Sequence, residues 1–198
     1  MTLSFCYIMN MALKRFPIGV QDFAILREDK KYYVDKTDLV YKMVSSDRYY
    51  FLSRPRRFGK SLLVSTLQCY FEGRRELFNG LAIEKLETEW KTYPVIRLDM
   101  SIVKYSGKDS LAESLNKILE PQERRFNVKS EPNNHTWGVR MARIIEAAHE
   151  QTGKEVVVLI DEYDAPMLDT FGMESFDEIR IQVRSLYSPL KALGGMLR

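Results

Sequence analysis

Residues 49–63 read YYFLSRPRRFGKSLL, and this stretch decides the fold. Its apolar first part has the length of a strand, a tight polar turn follows, and apolar residues then recur at helical spacing from Leu62 to Tyr70. The free N–H groups at a helix N-terminus, together with the helix dipole, bind anionic phosphate. Lys60 is placed to reach the terminal phosphates and the Ser61 hydroxyl to hold Mg²⁺. The pattern predicts a strand, a phosphate loop and a helix.

The loop itself departs from the usual phosphate-loop pattern, which has a glycine five residues before Gly59. Arg54 and Pro55 stand there instead. Taken alone, the Gly-Lys-Ser string therefore leaves two interpretations open, a nucleotide site or a basic turn that caps a helix with serine. The candidate nucleotide-binding residues of this loop are Arg56, Arg57, Phe58, Gly59, Lys60 and Ser61.

A second stretch, residues 155–164, reads EVVVLIDEYD. Its apolar run predicts a strand buried on both faces of a parallel sheet, and its acidic end lies where such sheets bind ligands. Asp161 is expected to support the Mg²⁺ shell, and Glu162 to polarise the attacking water as the catalytic residue. The alternative is a polar strand end that faces solvent. It would explain a single acidic residue but not three acidic residues within four positions. The two stretches together predict a nucleotide-binding α/β fold.

Length and composition limit the number of domains and the classes of partner that this chain can have. The 198 residues suffice for one α/β domain, and 45% hydrophobic with 29% charged residues is ordinary for a globular protein. A net charge of +3 is too small to indicate nucleic acid or an anionic membrane as a partner. Cys6 and Cys69 do not form a disulfide framework, and a reducing compartment is expected.

The first residues contain a short apolar run but no basic region or cleavage site, so we predict a cytoplasmic protein without a membrane segment. Met9 and Met11 are alternative positions at which translation could start. Residues 1–15 are interpreted as an N-terminal extension, and residues 16–198 as the domain.

The remaining chain supplies the other elements. We predict a short helix through Leu26, a strand at residues 31–34, a helix begun by Asp35, a strand at residues 93–100 and a final helix at residues 176–193. Two further helices carry Leu111 to Leu119 and Val139 to Ala148, and the weakly patterned residues 121–137 between them are predicted to be a loop.

Five segments together resemble the AAA-ATPase-like family, a group of bacterial and archaeal proteins. They are residues 18–23 (IGVQDF), 33–37 (YVDKT), 51–61 (FLSRPRRFGKS), 94–96 (PVI) and 159–164 (LIDEYD). The likeness spans residues 16–198, and members of the family also carry Arg-Pro in the loop. The resemblance implies ATP and Mg²⁺ as cofactors, with Lys60 and Ser61 as phosphate and Mg²⁺ residues and Asp161 and Glu162 as the acidic pair. It also implies that Ile18 and Gly19 lie against the adenine.

The fold class that follows is α/β, a three-layer sandwich of the P-loop NTPase type with a mostly parallel sheet. In related ATPases one more strand, carrying a sensor residue, lies between the phosphate-loop strand and the acidic strand. The chain is therefore expected to be truncated before that strand, with an open slot in the sheet or direct pairing of the two strands.

Two functions remain open at this point. One is an ATPase or nucleotide-dependent switch for an attached effector, which the family resemblance suggests is a nuclease-like domain. The other is a nucleic-acid-binding module in which Arg54, Arg56, Arg57 and Lys60 contact backbone phosphates without nucleotide turnover. The acidic strand end favours the first function, because it would repel a phosphate backbone.

Overall fold

The computed structural model describes residues 15–53, 55, 57–103, 108–129 and 136–198. Within them seven α-helices and two strands alternate with short 3₁₀ turns. In chain order they are α1 (Phe23–Glu28), α2 (Thr37–Ser46), α3 (Lys60–Phe71), β1 (Val95–Asp99), α4 (Lys108–Arg125), α5 (Trp137–Thr152), β2 (Val157–Asp161), α6 (Ala165–Thr170) and α7 (Phe176–Ala192). The 3₁₀ turns are Arg75–Phe78, Ala82–Lys85, Met100–Ile102 and Gly194–Met196. The chain is thus a mixed helix and sheet fold, as predicted.

The sheet is small and parallel. β1 pairs with β2 in register from Val95 opposite Val157 to Asp99 opposite Asp161. Because side chains alternate along a strand, each strand presents two faces to different helices. Val95, Val157 and Leu159 pack with α1, α2 and α3, whereas the neighbouring side chains of both strands pack with α4, α5 and α7. Asp161 lies on the same face as Val157, which directs its carboxylate towards α3.

Residues 49–53 do not form the predicted strand. They follow α2 without regular hydrogen bonding, and Tyr49, Tyr50 and Phe51 are largely exposed. A strand is stabilised by ladder bonds to a neighbour, and no such bond to residues 49–53 is found within the described part of the chain. A cavity of about 540 Å³ separates this segment from β2. An apolar composition alone was not sufficient to predict a strand here.

Two further predictions were wrong. Residues 31–34 are extended but lie outside any strand, and residues 121–125 continue α4 instead of forming a loop. The helix runs through Pro121 because its last turns are fixed by tertiary contacts. Gln122 donates to the Arg97 carbonyl at 3.3 Å and Arg125 to the Val95 carbonyl at 2.8 Å, which ties this part of α4 to β1. The predicted loop residues 130–135 lie outside the described residues.

The helix ends follow the sequence signals. Gly73 and Gly153 adopt the left-handed conformation just after α3 and α5, as expected for C-terminal glycines. Asp22 accepts a hydrogen bond from the Ile25 N–H at 3.0 Å and begins α1. Asp35 accepts bonds from Thr37 at the start of α2 and from the Ala82 N–H, so it also fixes α2 to the 3₁₀ turn Ala82–Lys85. None of the helices in the described part of the chain is both long enough and apolar enough to cross a bilayer.

Candidate functional site

The candidate site lies where the N-terminus of α3 meets the carboxyl end of β2. Lys60 is the first residue of α3, and Glu162 directly follows β2. The Lys60 Nζ is 3.9 Å from the Glu162 Oε1, and both side chains are partly buried. The fold therefore brings together the two groups that the sequence assigned to phosphate binding and to water activation.

The loop before α3 reverses direction through left-handed residues. Gly59 has a φ of 75°, which glycine adopts without steric cost, and it places the first N–H groups of α3 at the open end of the helix. Arg57 also has a positive φ, 69°, which is uncommon for a residue with a side chain. Successive turns of this kind direct backbone N–H groups into a concavity that suits an anion.

The acidic side of the site is built from consecutive residues with different environments. Asp161 ends β2, is only 4% exposed, and accepts a hydrogen bond from the Glu162 N–H at 3.1 Å. Glu162 has a φ of 50°, a left-handed conformation that costs about 1–3 kcal/mol for a non-glycine residue. Backbone strain of this size persists where the surrounding structure imposes it, and it turns the Glu162 carboxylate towards Lys60.

The other predicted site residues have different surroundings. Phe58 is exposed and Ser61, one residue after Lys60, is partly buried, whereas Arg56 lies outside the described residues. Ile18 is 91% exposed, and Gly19 has a φ of 73° with open space around it. Core packing therefore does not explain Ile18. It does explain Phe23, which is fully buried against Tyr33 and Phe78.

Residues 18 and 19 do not line the cavity that contains Lys60 and Glu162. Their link to α3 is indirect. The Phe23 N–H, at the start of α1, donates to the Ser65 hydroxyl on α3 at 2.9 Å. This buried bond fixes the segment before α1 relative to α3, with Ile18 on the surface.

Three aromatic residues beside the site were missed by the sequence reasoning. Tyr163 follows Glu162, its ring lies edge-on to Phe51 with centroids 5.0 Å apart, and the Tyr187 hydroxyl donates to its carbonyl at 3.3 Å. Burial, with a contribution from Asp164, raises the pKa of both tyrosine hydroxyls. The only sequence signal for this group was an aromatic residue directly after the acidic pair.

The comparison with protein families matches residues 17–198 to a family described as predicted AAA-ATPase. The chain belongs to the AAA-ATPase-like family. A curated relative, an uncharacterized protein in the vnfD 5′ region of Azotobacter chroococcum mcd 1, is 38% identical over 183 residues, which are 91% of this chain and 35% of the relative. The chain thus spans about a third of that relative's length. No solved structure matches the chain. Membership of the AAA-ATPase-like family indicates nucleotide binding, and the arrangement of Lys60, Asp161 and Glu162 fits that indication.

Proposed function

We propose that this domain binds ATP with Mg²⁺ at the junction of α3 and β2 and that, in a full-length protein, it hydrolyses the nucleotide to switch an attached effector. The observation that carries the proposal is the 3.9 Å approach of Lys60 and Glu162 at the open N-terminus of a twelve-residue helix. These residues are distant in sequence and meet only in the folded chain. The effector is proposed to be a further domain, nuclease-like by family resemblance.

Phosphate binding falls to the loop and the start of α3. The backbone N–H groups after Gly59 and the Lys60 ammonium group supply positive potential where the triphosphate would lie. In the structure, the ammonium group has Glu162 as an ion-pair partner at 3.9 Å. A triphosphate carries more charge than one carboxylate, so binding is expected to draw Lys60 towards the phosphates and release Glu162 for the attacking water.

The residues present also fit a magnesium ion. Ser61 offers a hydroxyl at the start of α3, and Asp161 offers a carboxylate on the face of β2 that is directed towards α3, and oxygen ligands are those that Mg²⁺ prefers. When bound, Mg²⁺ supplies charge neutralisation on the phosphate oxygens. One carboxylate oxygen of Asp161 accepts a hydrogen bond from the Glu162 N–H, and this bond fixes the orientation of the carboxylate.

The adenine is proposed to lie against the exposed segment at Ile18 and Gly19. An exposed isoleucine beside a left-handed glycine offers an apolar contact and room for a ring to approach the backbone. Nucleic acid remains the second candidate partner. It is less well supported, because Asp161 and Glu162 line the same cavity as Lys60 and would repel backbone phosphates.

The proposal is tested by equilibrium binding of a fluorescent ATP analogue to the 198-residue chain, with and without Mg²⁺, followed by competition with unlabelled ATP. We expect saturable binding that strengthens with Mg²⁺ and is reversed by ATP. Binding that is displaced by single-stranded or double-stranded DNA but not by ATP would favour the nucleic-acid function instead.

A further inference from the structure

The short helix α6 and the turn after it expose large apolar side chains. Pro166 and Thr170, one helical turn apart, are buried and hold one side of α6 against the fold. Leu168 lies on the other side of the helix and is 56% exposed. Phe171 and Met173, just after α6, are 78% and 52% exposed. Leu168, Phe171 and Met173 are called the α6 patch below.

The central member of the α6 patch is supported from one side only. The Phe171 ring lies edge-on to the ring of Phe176, the first residue of α7, with centroids 5.9 Å apart. Phe176 is half-buried, so it supports one edge of the Phe171 ring and leaves the rest in solvent. Single exposed apolar side chains are normal in proteins. Three large ones within six positions, centred on an aromatic ring, are typical of an interaction site.

The surface around the α6 patch is strongly acidic. Residues 161–178 contain seven aspartates and glutamates and no lysine or arginine, although the whole chain has a net charge of +3. Asp169, Glu174 and Glu178 are exposed and form no ion pair with any residue that the structure describes. These three residues are called the acidic rim. Their negative potential disfavours nucleic acid and anionic lipid at this surface and favours a cationic partner.

We propose that the α6 patch is a docking surface for a basic amphipathic segment of another protein. Apolar side chains of the segment pack on the α6 patch, and its lysines or arginines face the acidic rim. Buried aromatic and aliphatic anchors contribute most of the affinity of such a contact, and the charges set its orientation and association rate. The opposite sign of the charge is the observation that selects this partner.

The docking surface is joined to the candidate site through the backbone. The N–H of Ala165, the first residue of α6, donates to the Glu162 carbonyl at 2.9 Å. The Leu168 N–H donates to the Asp164 carbonyl at 3.0 Å. A partner on the α6 patch therefore contacts the helix that begins three residues after Glu162. The inference goes beyond the proposed function, because docking itself requires no nucleotide.

The test measures fluorescence anisotropy of a synthetic probe. The probe is a labelled helical peptide of about 18 residues, or five turns, with Leu and Phe on one face and Lys and Arg on the other. Two matched peptides replace Leu and Phe by Ala, or Lys and Arg by Glu. Each peptide is titrated, without nucleotide, with the 198-residue chain, with Phe171→Ala, and with a double variant that combines Asp169→Lys and Glu174→Lys.

Two control variants match these changes elsewhere on the surface. Phe16→Ala removes a ring that is 75% exposed and also has its centroid 5.9 Å from one aromatic neighbour, Tyr32. Glu150→Lys reverses an exposed charge near the end of α5. The urea midpoint of every variant is measured as well. Since all the changed side chains are largely exposed, we expect the midpoints to stay close to that of the parent chain.

We expect saturable binding of the basic amphipathic peptide, weakened about tenfold or more by Phe171→Ala and by the double variant, and weakened by added salt. Both control variants should bind it like the parent chain. The proposal is overturned if this peptide does not bind, if the alanine-faced peptide binds as tightly, or if Phe171→Ala and Phe16→Ala have equal affinity for it. Sedimentation of the chain alone tests the other occupant. A dimer that Phe171→Ala dissociates would assign the α6 patch to a second copy and overturn the proposal. None of these readouts depends on ATP binding, so failure here is distinct from failure of the proposed function.

Discussion

At the scale of single residues, Glu162 combines a strained backbone with an ion pair to Lys60. Its left-handed φ of 50° costs about 1–3 kcal/mol, and backbone strain of this kind is often found at functional sites. The neighbouring bond from the Glu162 N–H to Asp161 holds that conformation. The two carboxylates are thereby fixed in different directions, Asp161 towards α3 and Glu162 towards Lys60.

We predict that Glu162→Gln, in a full-length protein, leaves ATP binding intact and lowers turnover by about 100-fold or more, because positioning a general base contributes that much. Steady-state phosphate release measures the turnover. The matched control is Glu155→Gln, since Glu155 pairs with Arg48 at 3.1 Å and stands at the other end of β2. Turnover of Glu162→Gln at the parent rate would assign the base to another residue.

Asp161 has a different expected role. Asp161→Asn keeps the shape of the side chain but removes the charge that a divalent cation requires. We expect the Mg²⁺ concentration needed for half-maximal ATP binding to rise severalfold, with little change in the absence of Mg²⁺. A titration with Mg²⁺ at fixed ATP measures this. An unchanged Mg²⁺ requirement would place the metal ligand elsewhere.

A substitution at Ile18 tests the proposed contact with adenine. Ile18→Glu should weaken ATP binding by about tenfold or more, equivalent to about 1.4 kcal/mol, and leave inorganic triphosphate nearly unaffected. Ile181→Glu on α7, where the isoleucine is also exposed, is the control. Equal weakening of ATP and triphosphate by Ile18→Glu would mean that the substitution acts on the phosphate loop or on the fold.

At the scale of elements, α5 and α7 pack closely against each other at Gly138. A Cβ built at Gly138 would stand 2.5 Å from the Ser185 carbonyl oxygen, a backbone atom that cannot move aside alone. Gly138→Ala should therefore lower the urea midpoint, although alanine is the better helix former by about 1 kcal/mol. Gly195→Ala has open space and should be neutral. A more stable Gly138→Ala chain would contradict the close packing of these helices.

The sequence predicted those elements whose signals are local. α3 and α7 have helical periodicity, and β2 has an apolar run that is typical of a strand covered on both faces. Residues 49–53 also carry an apolar run, but among the residues that the structure describes they have no partner for a ladder. Pairing between distant segments cannot be read from a local pattern. α4 shows the opposite case. The weak pattern of residues 121–137 predicted a loop. Contacts to β1 and the buried ion pair of Glu123 with Arg140, both 2% exposed, instead keep the last turns of α4 helical.

The candidate site was predictable to a similar extent. Lys60, Ser61, Asp161 and Glu162 were predicted because phosphate and metal chemistry requires those residue types at an element boundary. The fold brings Lys60 and Glu162 to 3.9 Å of each other, and the roles of all four residues stay predictions. The aromatic contact of Tyr163 with Phe51 was not found, since it joins two segments through tertiary packing. The position of Ile18 relative to the phosphate loop also depends on tertiary structure, through the bond from Phe23 to Ser65.

At the scale of the whole molecule, two hydrophobic clusters on opposite faces of one narrow sheet hold the domain together. The candidate site lies at the end of this sheet, beside the cavity that borders β2. Lys60, Asp161 and Glu162 all line that cavity.

The central claim is that the intact chain binds ATP with Mg²⁺ through Lys60, and calorimetric titration of the chain and of Lys60→Ala tests it most directly. A charge-assisted contact contributes about 1.5–3 kcal/mol, so the substitution should weaken binding by about 10-fold to 100-fold. Lys91→Ala, which removes an exposed lysine paired with Glu89, should bind ATP like the parent chain. Equal affinity of Lys60→Ala and the parent chain for ATP with Mg²⁺ would contradict the account.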